Sequence, residues 1–509
     1  MDNRVIYSVK EGSTGVLYLT DEKGHTKIYQ PNCDLDKSQQ YLYKYHALSI
    51  CNNEPIKESF VVNGIDWYPA SVSMLYWQFF FQYVKYESLI LDWKSGKVGF
   101  SHIDQGRFKK ILILLGYGEN HRGSLVVNIL RKILSRVTMI RNKLLVNSDV
   151  KKILFLRLGL DDFRTNEILQ DLQKDFSVVQ LIPFPKRKII RTILDPSVCI
   201  LPISYKNHSH ADLSEIRVND ETDWLYQYAI SYTKELIFQH ITSYKLFNGY
   251  MSIATYRLFV GLDDCNYPYP YIYSAQDNGL KCIGIQHGGY AKRHEAYVMN
   301  GLNSHRWYDY LLVWGEHWKK VFLDNNEIFP AKNVIVTTNK HNYDYTILPK
   351  VSKKRSILIP YEFLADTILI GKFIIKLYVN KFDIYFKPRS DEAIEDQIKA
   401  YNLGDVESKL ILIHEITPET MSNIDIVAGT MTTLLYDLLP YGKPIWILET
   451  PFKLQEDMVE FNLARKIKWS DLSNIDEIYS QDIRKNTYVD SDFFSGTVSH
   501  SDAIKSINV

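Results

Sequence analysis

Short runs of branched apolar residues alternate along this chain with stretches at helical spacing, and the alternation repeats often enough to predict an α/β protein. The runs around Lys152–Leu158, Val178–Ile182, Leu258–Leu262, Ile283–Ile285, Ser356–Pro360, Asp383–Phe386, Asp425–Ala428 and Ile445–Leu448 are nearly continuous in apolar character. Strands of that kind are covered on both faces, as in a parallel sheet flanked by helices. Helical spacing over Asn166–Phe176, Thr222–Phe247 and Ala365–Val379 supplies the crossovers. Phe108–Leu115 reads as one more buried strand, running into Gly116-Tyr117-Gly118. The turn behind it, Gly118–Ser124 with Arg122, precedes helical spacing from Leu125 to Val137 and is a candidate anion contact. Leu75–Phe81 is the richest apolar stretch, too short to span a bilayer, and predicts a buried helix.

A second α/β series opens at Tyr310–Gly315, so the pattern predicts a division near residue 305. Residues 1–305 would form an N-terminal Rossmann-like acceptor domain with an irregular first portion. Residues 306–480 would form a C-terminal Rossmann-like donor domain, with 481–509 as a tail that packs back. A length of 509 residues fits this, being too great for one ordinary core.

Composition narrows the class. Hydrophobic residues at 46% and charged residues at 23% are ordinary for a globular protein, and the formal charge of +1 gives no overall field for nucleic acid. The basic run Lys186-Arg187-Lys188 reads as a solvated loop, with an anionic acceptor or a membrane surface as the alternative. Cys33, Cys51, Cys199, Cys265 and Cys282 form no CxxC pair, which fits reduced thiols of a cytoplasmic protein and neither a zinc site nor a disulfide framework. The polar N-terminus lacks the apolar core of a signal peptide.

Candidate chemistry gathers where apolar runs end. Ile283-Gly284-Ile285 leads into Gln286-His287-Gly288-Gly289-Tyr290, which places Gln286 and His287 at the C-terminal end of a strand, where open α/β sheets bind ligands. A histidine there suits a general base, a general acid or a phosphate contact. The run from Leu258 ends in Asp263-Asp264, and because side chains alternate along a strand, one acid can face a cleft while the other caps the next helix. Lys387-Pro388-Arg389 sets two cations at another strand end, a pairing that suits phosphate. His414-Glu415 begins a loop able to hold a nucleobase, and Gly429-Thr430-Met431-Thr432-Thr433 would offer free helix amides and three hydroxyls to an anion.

In their order and spacing these motifs resemble GT-B glycosyltransferases, whose two Rossmann-like domains face each other across a cleft. The likeness is nearest to bacterial surface-carbohydrate transferases with a Gln-His-Gly turn, such as the Kdo transferases of capsule synthesis. It extends more distantly to the glycerophosphotransferases of teichoic acid synthesis. It covers roughly residues 255–450, and it departs at Lys387-Pro388-Arg389, where many relatives have His-Pro after the basic residue. The resemblance implies a nucleotide-sugar donor, favouring a CMP-activated acidic sugar of the Kdo or nonulosonic type with UDP or GDP sugars as the alternatives, and a glycan or lipid-linked glycan acceptor. It implies no cofactor and no metal, with the enzyme in the cytoplasm or at the inner face of the membrane, alone or within an assembly. On it, Asp263, Asp264 or His287 activates the acceptor, and Gln286, Gly288, Lys387, Arg389, Glu415, Gly429, Thr430, Thr432 and Thr433 hold the donor. A CDP-glycerol-type phosphotransferase and a non-catalytic binding module are the alternatives.

Overall fold

The computed structural model describes residues 4–12, 15–49, 55–118, 133–138, 140–141, 152–160, 162–183, 189–201, 223–251, 256–263, 268–290, 306–326, 329–338, 344–350, 352–362, 366–389, 393–430, 432–450, 456–483 and 491–507. It divides into two compact units, and the chain passes between them more than once.

One unit comprises Leu42–Trp77, Gly118–His341 and Asp492–Val509. Its centre is a seven-stranded parallel sheet in the order Val334–Val336, Tyr310–Val313, Lys281–Ile285, Leu258–Leu262, Lys152–Leu156, Ser177–Ile182, Val198–Ile200. The apolar runs are buried on both faces, as their composition requires. The strands at Tyr310 and Val334, which the alternation assigned to a second series, complete this first sheet; Ile283 pairs with Tyr310 and Leu311 with Val334. Strand composition cannot carry that distinction, because buried parallel strands of either sheet look alike. Tyr308 lies across two neighbouring strands and donates from its hydroxyl to the Leu262 carbonyl at 2.8 Å. Only glycine fits beneath it, since a Cβ on Gly284 would come within 2.7 Å of the Tyr308 ring. The C-terminal helix His500–Ser506 returns to this unit, where Ala503, Ile504 and Ile507 join the core under the sheet and Ser501 donates to Asp175 at 2.6 Å.

The other unit comprises Met1–Tyr41, Gln78–Tyr117 and Asn342–Ser491. It holds a six-stranded parallel sheet in the order Ile411–Leu412, Phe382–Lys387, Arg355–Pro360, Ile426–Gly429, Ile445–Leu448, Ala464–Ile467. A four-stranded sheet, in the order Thr26–Tyr29, Leu17–Asp21, Val5–Glu11, Val98–Ile103, accounts for the irregular N-terminal portion. Phe108–Leu115 is not a strand but belongs to the helix Arg107–Leu114 and its cap: Phe108, Ile111, Leu112 and Leu115 are buried at spacings of three and four while Lys110 is exposed. The run satisfies both periodicities, and the helical stripe is the one the core accepts. Leu75–Phe80 is helical as expected, in π form between two α-helices. The described cysteines, Cys33, Cys199 and Cys282, are buried. Among the described residues, no helix is long and apolar enough to cross a membrane.

Candidate functional site

Each unit carries a polar turn at the C-terminal edge of its parallel sheet, and in both a buried carboxylate from the adjacent strand clamps it. In the first, the Leu258–Leu262 and Lys281–Ile285 strands pair in register, so Asp263 emerges beside Gln286 and His287. Asp263 is fully buried. Its Oδ1 accepts from the His287 amide at 3.0 Å and from His287 Nδ1 at 2.5 Å, and its Oδ2 accepts from the Tyr290 hydroxyl at 2.6 Å. A carboxylate so placed holds the imidazole in the tautomer with its proton on Nδ1, and the lone pair then lies on Nε2. The His287 side chain keeps 21% exposure while Asp263 has none, so the histidine is the member of the pair that meets solvent. Gln286 is structural: its Nε2 donates to the Gly288 carbonyl at 2.8 Å and its Oε1 accepts from the Trp314 amide at 3.0 Å. It thereby ties the turn to the next strand. Asp264 and the Arg122 turn lie outside the described residues.

The second sheet brings the remaining candidates to one edge. Lys387 ends the Phe382–Lys387 strand and Arg389 follows it, while Glu415 follows the neighbouring Ile411–Leu412 strand and is exposed. Lys387 is half-buried; burial pulls its ammonium below the usual lysine range, and the charge of Glu415 opposes that shift. Its Nζ donates to the Pro388 carbonyl at 3.1 Å. Arg389 is positioned through its backbone, because the buried Gln397 accepts from its amide and donates to its carbonyl, both at 2.8 Å.

The Gly429–Thr433 turn differs from expectation. Two of its amides are not free: Glu362, just beyond the adjacent Arg355–Pro360 strand, accepts from the Thr430 amide at 2.8 Å and the Thr432 amide at 3.0 Å, and from the Thr430 hydroxyl. Thr433 stands at the N-cap of the short helix Leu434–Asp437 without a side-chain capping bond. Gly429 leaves room for the carboxylate, since a Cβ there would stand 2.7 Å from Glu362 Oε1. The turn has the donors an anion needs, and the protein supplies the anion itself. Neither Glu362 nor Gln397 was singled out in the sequence. The only signal for Glu362 was an acid just past the end of a buried apolar strand. Among the described residues, no group of three or more His, Cys, Asp and Glu side chains could hold a metal ion.

Fold and turns together define an α/β protein of two Rossmann-like units with polar strand-end turns on both sheets. No protein-family description matches the chain, and no curated protein does. Among solved structures it is similar to UDP-GlcNAc 2-epimerase from Methanocaldococcus jannaschii, at 13% identity and a TM-score of 0.44, over 70% of this chain and 99% of that one. MurG of Acinetobacter baumannii gives 13% identity and a TM-score of 0.44, over 70% and 98%. A Staphylococcus aureus MnaA–UDP co-structure gives 10% and 0.42, over 70% and 95%. Likenesses this distant assign neither substrate nor reaction.

Proposed function

We propose that the chain is a GT-B glycosyltransferase that moves a sugar from a nucleotide donor to a bacterial surface glycan or its lipid-linked precursor. The observation that carries this reading is the Asp263–His287 pair at the end of a parallel strand: a partly exposed imidazole whose Nδ1 is held by a fully buried carboxylate. That arrangement suits a general base. His287 Nε2 takes the proton of the acceptor hydroxyl, whose oxygen bonds to the anomeric carbon as the bond from that carbon to the donor phosphate breaks. The electron pair leaves on the nucleotide phosphate. Asp263 acts as a positioning residue and stabilises the imidazolium; with its oxygens committed to His287 and Tyr290, it is ill placed to take the proton itself.

The donor in this reading is a CMP-activated acidic sugar. Glu362 already occupies the Thr430 and Thr432 amides of the Gly429–Thr433 turn, and among the described residues Lys387 and Arg389 stand as cations at that edge, a complement suited to one phosphate rather than two. Calorimetric titration with CMP, CDP, UDP and GDP tests this. CMP should bind most tightly, and absence of binding by every nucleotide at millimolar concentration overturns the donor assignment. Turnover with a CMP-activated sugar then separates an enzyme from a binding module.

A further inference from the structure

The N-terminal edge of the seven-stranded sheet, the edge away from His287, holds a recess of about 300 Å³. Asp309 and Asn333, which immediately precede the strands Tyr310–Val313 and Val334–Val336, line it together with Gln276, Arg306, Trp307 and Phe329. All six lie in the unit that carries His287. The strand Lys281–Ile285, whose C-terminal end leads to His287, is five residues long, so its two ends stand roughly 15 Å apart. The recess is therefore separate from the Asp263–His287 turn. Native interiors leave few voids larger than a water molecule, and this one has the volume of a small-ligand pocket.

Its polar groups are held in place by one another. Arg306 donates from Nε to Gln276 Oε1 at 2.8 Å, and from Nη2 to the Tyr273 carbonyl at 2.9 Å and to Asp277 at 2.5 Å. Gln276 Nε2 donates to the Trp307 carbonyl at 2.7 Å and to Asp309 Oδ1 at 3.2 Å, and Asp309 Oδ2 accepts from the Cys282 amide at 2.7 Å. Asn333 Nδ2 donates to the Asp309 carbonyl at 2.8 Å. These bonds fix the groups and leave part of their capacity unspent. Among the described residues, Arg306 Nη1 and Asn333 Oδ1 make no hydrogen bond, and each carboxylate oxygen of Asp309, with one bond made, has a further lone pair. Donors and acceptors are thus mixed beside the half-buried Phe329 ring.

Charge and polarity select the ligand. One cation, Arg306, stands against two acids, Asp277 and Asp309, which disfavours a phosphate or carboxylate. A cationic amine would satisfy the acids but face the guanidinium, and an apolar molecule would strand the unspent polar groups. A polyhydroxyl ring meets every requirement: its hydroxyls donate to carboxylate and amide oxygens and accept from a guanidinium, while its C–H face covers an aromatic side chain. We propose that this recess binds a neutral saccharide residue. The inference stands on the recess and its hydrogen-bonding capacity, independently of the transfer reaction.

Saturation-transfer NMR of the full chain with the methyl glycosides of glucose, galactose and N-acetylglucosamine, each at millimolar concentration and without nucleotide, tests it; methyl phosphate and ethanolamine are the charged controls. At least one glycoside should bind, and more tightly than either control. Asn333→Leu and Phe329→Ala should each weaken that binding by about tenfold or more, with thermal melting unchanged. His287→Ala should bind the glycoside as the wild type does. Absence of binding by all three glycosides, tighter binding of methyl phosphate or ethanolamine, or binding that both recess variants retain overturns the proposal. So does binding lost in His287→Ala, because the saccharide would then sit at the transfer turn.

Discussion

The two clamped turns use one device for different ends. Asp263 and Glu362 each stand just past the end of a buried parallel strand, and each reaches the turn at the end of the strand beside it. Asp263 spends one oxygen on an imidazole and fixes its tautomer, so its turn presents a titratable group that keeps some contact with solvent. Glu362, at 2% exposure, spends its oxygens on amides and a hydroxyl, so its turn is closed upon itself. A glycine- and threonine-rich turn at a strand end is therefore not by itself an anion site; what decides is whether the neighbouring strand already supplies the anion.

The most severe way to break this comparison is His287→Ala. It should lower transfer by about 10³-fold while nucleotide affinity stays unchanged. Asp263→Asn should cost roughly 10²-fold in kcat, with a shifted pH–rate profile, because an amide in that place no longer demands a proton on Nδ1. The corresponding cut in the other turn should act on stability rather than rate. Glu362→Ala leaves the Thr430 and Thr432 amides without their acceptor and should destabilise the protein by about 3 kcal/mol, seen as a lower denaturant midpoint. Wild-type stability in that variant would mean that the clamp is idle.

Acid should sharpen the contrast between the units. His46, His240, His317 and His500 all lie in the unit that carries His287, and burial, the largest cause in each, pushes them down to about 4 from an ordinary value near 6.5. Their folded values are depressed, so the stability they confer is complete above pH 6.5 or so and is lost as pH falls toward 4, at about 1.4 kcal/mol per pH unit for each imidazole. Hydrogen exchange across that window should open the seven-stranded sheet before the six-stranded one. The smallest effect expected is that of Gln397→Ala, which frees the Arg389 backbone and should raise the donor KM by roughly tenfold with little change in kcat.

How much of this was legible depended on whether the controlling contact was local. The strand before Gln286 and the acids after Leu262 could be read because each apolar run and its polar end are contiguous. That Asp263 meets the histidine required the register of two strands. Glu362 was invisible because 68 residues separate it from Thr430, and only strand adjacency brings them together. The strands at Tyr310 and Val334 could not be assigned to a sheet from composition, since burial on both faces gives every parallel strand the same appearance. Phe108–Leu115 misled because eight residues satisfy an apolar run and a helical stripe equally, and tertiary packing decides between them.

The proposed chemistry depends on the tautomer that Asp263 imposes. Nitrogen NMR of histidine-labelled protein, with His287 assigned by difference against His287→Ala, reads it directly. The neutral ring should carry its proton on Nδ1 in the wild type and lose that preference in Asp263→Asn. A proton resident on Nε2 in the wild type would contradict the role proposed for the pair.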